Sequence, residues 1–220
     1  MNKLYGYWRS SAAYRVRIAL NLKQITVEQL SVHLVKEGGE QHKAAYLALN
    51  PQALVPSFVI KDETTAFESD TLTQSMAILE YLDEVYPQPP LLPSSSVARA
   101  KVRAMAMSIA CDIHPLNNLR VLQYLSNELN INDEKKRTWY QHWIVQGFTA
   151  LEAQLTQVSG QYCFGDTVSM ADLCLVPQVY NAQRFDVDLT PYSNIMRVNT
   201  ACLDLAAFKD AMPDNQPDAS

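Results

Sequence analysis

Glycine is scarce in this 220-residue chain, six in all, and none falls in a GxGxxG or GxxxxGK pattern. No phosphate-cradling loop of the familiar kinds is therefore present, since those need glycine where the backbone approaches the phosphates. The four cysteines (Cys111, Cys163, Cys174 and Cys202) show no CxxC spacing, and the four histidines form no HxH or HExxH pair. No metal site is expected. In a reducing compartment the cysteines read as small buried hydrophobes, Cys111 being the one left open. No apolar run approaches a membrane span, and Met1-Asn2-Lys3-Leu4 lacks the apolar stretch of a signal peptide. Positive charge is not in excess either. A formal net charge of -5 argues against a general nucleic-acid binder. What remains is a cytoplasmic globular protein, 48% apolar and 19% charged, with core enough for one large domain or two small ones.

What is present is a strand, a polar turn and a helix start. Leu4, Tyr5, Tyr7 and Trp8 form the end of an apolar run, followed by Arg9-Ser10-Ser11 and then a helical pattern. Val16 and Leu20 lie four apart on one face, Ile18 and Leu22 on a neighbouring one. Hydroxyls at such a point either cap the helix or, with the free amides there, meet an anion. Arg9 and Arg15 bracket the turn with positive charge.

Further along, Lys3–Trp8 predicts a strand, Ser11–Leu22 a helix, and Thr26–Leu34 a second strand by alternation. Gln41–Leu49 predicts a short helix. Val55-Pro56 leads into a third strand, Ser57–Ile60, and proline at that threshold leaves a neighbouring amide available for another partner. Lys61-Asp62-Glu63 reads as a hairpin turn, Thr64–Glu68 as the returning strand, and Thr73–Tyr86 as a helix. That order, βαβα then ββα, is most economically a thioredoxin-like domain over residues 1–86. Residues 87–96, with Pro87, Pro89, Pro90 and Pro93 and then a serine run, read as a linker. Residues 97–220 carry helical patterns only, including a capping box at Ser169-Met170-Ala171-Asp172, and the polar stretch Pro213–Ser220 is expected to fray. The fold class is thus α/β followed by all-α.

A cleft between two such halves is a favoured ligand site. Arg9, Ser10, Ser11, Val55, Gln74 and Ser75 are the candidates from the first half, His114, Asn118, Arg120 and Arg184 from the second. Gln74-Ser75 at a helix N-terminus suits a carboxylate, or caps the helix. Arg120 and Arg184 are either solvated surface charges or, with Arg9, a bidentate trap for a small dianion.

Several blocks together resemble the zeta-class glutathione transferases, the group that includes maleylacetoacetate isomerase and bacterial maleylpyruvate isomerase. They are Arg9-Ser10-Ser11-x-x-Tyr14-Arg15-Val16-Arg17, Ala48-Leu49-Asn50-Pro51, Val55-Pro56, Gln74-Ser75, Ile113-His114-Pro115-Leu116-Asn117-Asn118-Leu119, Met170-Ala171-Asp172-Leu173 and Arg184-Phe185-x-Val187-Asp188. They span nearly the whole chain in order. The resemblance implies a glutathione transferase fold, a homodimer and a glutathione site. Val55 would pair with the cysteinyl moiety, with Pro56 cis. Gln74 and Ser75 would hold the γ-glutamyl carboxylate, and Gln41 would lie near the glycyl end. His114 and Asn118 would border the same site. Ser10 or Ser11 would hydrogen-bond the sulfur and lower its pKa.

It also implies an activity: cis–trans isomerisation of a maleyl keto acid through reversible thiolate addition. Arg9, Arg120 and Arg184 would hold the substrate's carboxylates. The rivals are a broad glutathione transferase acting on electrophiles or α-haloacids, and a non-catalytic scaffold of the same fold. Two departures stand out. Ala12 occupies a position where the family often has cysteine, and the connection Lys61–Thr71 is longer than usual. Arg120 matches the maleylpyruvate-type members.

Overall fold

The computed structural model describes residues 1–61 and 70–219, in two compact units: residues 1–89 with 205–220, and residues 90–204. In the first unit β1 (Lys3–Gly6), α1 (Ser11–Leu22), β2 (Glu28–Ser31), α2 (Ala44–Leu49), β3 (Ser57–Ile60), β4 (Asp70–Thr73) and α3 (Ser75–Val85) follow in order. Among the described residues the sheet runs β2-β1-β3-β4. β1 pairs in parallel with β2, and antiparallel pairs join β1 to β3 and β3 to β4. A parallel pair needs a crossover, which α1 provides. The unit is thioredoxin-like, as the element order predicts.

The second strand is shorter than its alternation implies. Helix formation after Gln41 is delayed: a 3₁₀ turn covers Glu40–His42 and α2 starts at Ala44. The expected returning strand at Thr64–Glu68 lies outside the described residues, and the strand that pairs with β3 is Asp70–Thr73. Gln74, at φ 68, then turns the chain directly into α3.

α1 is buried almost all round, with Ala13, Val16, Ile18 and Ala19 at 0% exposure. Its neighbours explain this: α3 packs against it, and so does α9 (Ala206–Lys209) from the far end of the chain. The stretch from Pro213, read as frayed, is structured as far as residue 219: Pro213 and Gln216 are buried and Asp218 accepts from the Trp8 amide. Residues 205–219 fall with the first unit rather than the helical half.

The second unit holds α4 (Ser96–Met107), a π-helical segment Ser108–Ile113, α5 (Leu119–Asn127), α6 (Asp133–Val158), α7 (Met170–Arg184) and α8 (Ser193–Leu203). α7 packs on α4 and α8 and is buried around most of its circumference, as a helix apolar on all sides must be. The Ser169/Asp172 capping box forms as its spacing predicts. Asp172 also accepts from the Cys163 amide at 2.7 Å. Part of the proline stretch is packed too: Leu91 and Leu92 are buried, and the Leu91 carbonyl accepts from the Met170 amide at 2.8 Å. The two units divide at Pro89/Pro90, inside that stretch.

Candidate active site

β1 ends at Gly6 and the chain reverses through Tyr7-Trp8-Arg9-Ser10, closed by the Ser10 amide donating to the Tyr7 carbonyl at 2.9 Å. Ser10 is the N-cap of α1, its Oγ accepting from the Ala13 amide at 3.2 Å. Capping uses an acceptor lone pair, so the Ser10 O–H remains a donor for another group. Ser11 is the first residue of the helix and is buried. Arg9 lies over the Trp8 ring, 4.5 Å from its centroid, and donates from Nη2 to the Tyr7 hydroxyl at 3.1 Å.

Arg15, expected to bracket the turn with Arg9, points its charge into the interior. It is 2% exposed and its Nη1 donates to the Ser75 hydroxyl at 3.2 Å, while Nε and Nη2 are buried without a partner among the described residues. Arg17 is buried as well, donating to the carbonyls of Ala211 and Trp8, each at 3.0 Å. Burial lowers its pKa to about 10, partly offset by Tyr14 and Asp218. Sequence reasoning gave Arg17 no role. The signal was there: Tyr14 to Leu20 is apolar on every helical face, so the two arginines within it have to be inside.

The remaining candidates of the first unit lie on its loops and at the start of α3. The Val55–Pro56 peptide is cis, Pro56 is buried, and Val55's backbone forms no hydrogen bond among the described residues. The loop is held from behind, where the Leu54 carbonyl accepts from the Tyr46 hydroxyl at 2.7 Å and from Asn50 Nδ2 at 2.8 Å. Gln41 is buried, with Nε2 donating to the Leu34 carbonyl at 3.3 Å and Oε1 unpartnered. Gly39, at φ 99, makes room for it: a Cβ there would lie 2.4 Å from Gln41 Nε2. Gln74 precedes α3 and donates to Gln52 Oε1 at 2.9 Å; Ser75, the first residue of α3, is buried. Among the described residues this unit therefore offers an unpaired backbone at Val55 and a buried cation beside a helix-terminal hydroxyl. Those features fit a peptide-like ligand bearing a carboxylate.

In the second unit, the π-helical segment closes with the His114 amide donating to the Ile109 carbonyl at 2.9 Å. Such segments often mark functional positions. α6 approaches it closely at Gly147, where a Cβ would lie 2.2 Å from Ile113 Cδ1. Asn118 caps α5, its Oδ1 accepting from the Arg120 amide at 3.1 Å, so its side chain already has a structural task. Arg120 is exposed at the start of α5 and makes no ion pair among the described residues. Arg184 ends α7, where a cation suits the helix dipole, and lies 4.9 Å from the Phe185 ring centroid. Phe185 in turn stacks on Tyr140 with centroids 3.6 Å apart.

Residues 4–90 match the glutathione S-transferase N-terminal domain. The chain is 53% identical over 216 residues to a probable maleylacetoacetate isomerase of Vibrio cholerae, covering 98% of this chain and 97% of that protein. It resembles the holo structure of a zeta-class maleyl pyruvate isomerase, with a TM-score of 0.91 and 49% identity over 99% of this chain and 100% of that one. A maleylacetoacetate isomerase of Methylobacterium extorquens AM1, solved with malonate and glutathione, gives 0.91 and 40% over 99% of both chains. This chain belongs to the glutathione transferase family, in the zeta class with the maleylacetoacetate and maleylpyruvate isomerases.

Proposed function

We propose that the protein is a glutathione-dependent cis–trans isomerase acting on a maleyl keto acid. Full-length likeness to isomerases of both such substrates carries this assignment. Glutathione, when bound, supplies a thiolate that adds reversibly to the cis double bond and so permits rotation. The chain's own residues have separate tasks. Val55 offers its free amide and carbonyl to the peptide, Ser75 and Gln74 receive the γ-glutamyl carboxylate, and Gln41 borders the glycyl end. His114 and Asn118 complete the surroundings. Ser10 or Ser11 donates to the sulfur, and a donor to the charged form favours the thiolate. Arg9, Arg120 and Arg184 hold the substrate's carboxylates, for which a planar guanidinium provides two parallel donors.

The protein is proposed to act in the cytoplasm as a homodimer. Val97 on α4, 65% exposed, is the kind of uncovered apolar side chain a second copy would bury. Incubating the pure protein with glutathione and each maleyl keto acid in turn tests the assignment. Glutathione-dependent formation of the fumaryl isomer is expected, and no turnover of either acid would refute it.

A further inference from the structure

Trp8 lies at the centre of the Tyr7–Ser10 turn, and the strap formed by residues 205–219 engages both of its backbone polar groups, directly or through Arg17. Its amide donates to Asp218 Oδ2 at 3.1 Å. Its carbonyl accepts from Arg17 Nη2 at 3.0 Å, and Arg17 Nε donates to the Ala211 carbonyl at 3.0 Å. Arg17 Nη1 also reaches the Tyr7 carbonyl at 3.5 Å, the same oxygen that closes the turn. Asp218 is fixed in its turn by the Ser31 hydroxyl on β2, at 2.8 Å. A cavity of about 70 Å³ lined by Trp8, Leu30, Pro217 and Asp218 lies beside these hydrogen bonds. The strap has other anchors that miss the turn, among them Asn21 Nδ2 donating to the Ala207 carbonyl at 3.0 Å.

We infer that Asp218 is a positioning residue: through the Trp8 amide it sets the turn that presents Arg9, Ser10 and Ser11, making the strap of residues 205–219 part of the thiol-activating apparatus. This rests on the function proposed above. A group that places a catalytic hydroxyl acts on the chemical step, because small displacements there weaken a hydrogen bond that has to meet the thiolate. Charge alone would act in the opposite sense. Removing a carboxylate near the thiol favours the thiolate and lowers its pKa, whereas a misplaced hydroxyl donor raises it.

The test compares Asp218→Ala, Asp218→Asn and Asn21→Ala in the full chain. The readouts are the pKa of bound glutathione from thiolate ultraviolet absorbance, glutathione affinity by calorimetry, steady-state isomerisation and thermal unfolding. Asp218→Ala is expected to raise the thiol pKa by about one unit and lower kcat about tenfold, with glutathione affinity within about twofold of wild type. Asp218→Asn keeps an acceptor for the Trp8 amide and should retain most of the rate. Asn21→Ala loosens the strap away from the turn and should leave kcat unchanged.

The inference is overturned if Asp218→Ala leaves the thiol pKa and kcat alone, lowers that pKa, or fails to fold, which would mark the contact as structural support. It is equally overturned if Asn21→Ala or Asp218→Asn lowers kcat as far as Asp218→Ala does. A wild-type protein without isomerase activity would instead refute the function itself, an outcome visible before any variant is made.

Discussion

Arg15 donates a hydrogen bond to Ser75, at 3.2 Å, and among the described residues its Nε and Nη2 have no partner although it is 2% exposed. A buried cation with no counter-charge among those residues costs the fold several kcal/mol. It persists here beside a helix-terminal hydroxyl, where a ligand carboxylate would complete its hydrogen bonding.

Arg15→Met should therefore separate stability from binding. Methionine fills a similar volume without the charge, so the ligand-free protein is expected to unfold no earlier than wild type. Glutathione affinity should fall by about 1–3 kcal/mol, the loss of a hydrogen-bonded charge partner. Calorimetry together with thermal unfolding checks both; an equal loss of stability and affinity would mean that Arg15 serves packing alone.

Gln74 makes a related case. A non-glycine residue at φ 68 carries backbone strain of about 1–3 kcal/mol. Gln74→Gly is expected to relieve that strain and raise the unfolding midpoint while weakening glutathione binding. An affinity equal to wild type would remove Gln74 from the proposed site.

For the arginines, Arg9→Ala and Arg184→Ala are expected to raise KM and lower kcat with glutathione affinity nearly unchanged. Arg120→Ala should impair turnover of maleylpyruvate more than that of maleylacetoacetate. Lysine replacements should rescue poorly, because a point charge lacks the two-donor fork. Steady-state kinetics with both acids decides: small, equal effects at all three sites would leave them as surface charges.

The cysteines should prove dispensable for the chemistry. Cys163, Cys174 and Cys202 are buried, and burial together with Asp172 pushes the Cys163 and Cys202 thiols well up. Cys111 is exposed. A thiol reagent should label Cys111 alone in the native protein, and Cys111→Ser should isomerise at the wild-type rate. Inactivation by that substitution would reassign thiol activation.

Much of this arrangement can be read from residue order. The helix at Ser11–Leu22 and the strand at Ser57–Ile60 have the bounds their patterns predict, because apolar periodicity and flanking polar residues agree there. The capping box at Ser169 and Asp172 is equally local. The burial of Arg15 is harder to read, because charge usually signals surface and only the apolar residues around it argue otherwise. The polar composition of residues 213–220 reads as frayed, yet Asp218 accepts from the Trp8 amide and the Ser31 hydroxyl, distant partners that composition does not reveal. The preceding residues meet α1 through the carbonyls of Ala207, Phe208 and Ala211, and backbone acceptors leave no mark on composition.

That tail also affects the order in which the protein is assembled during synthesis. Residues 1–89 emerge from the ribosome first, yet the partners of Arg17, Asn21 and the Trp8 amide lie at Ala211, Ala207 and Asp218. Between them the whole of residues 90–204 has to be made. Until residues 205–219 are made, the thioredoxin-like unit lacks the Ala211 acceptor of Arg17 and the Asp218 acceptor of the Trp8 amide. Such long-range closure slows folding and keeps the early intermediate exposed. The Trp8 amide therefore gains its side-chain acceptor only after residues 90–204 have been made.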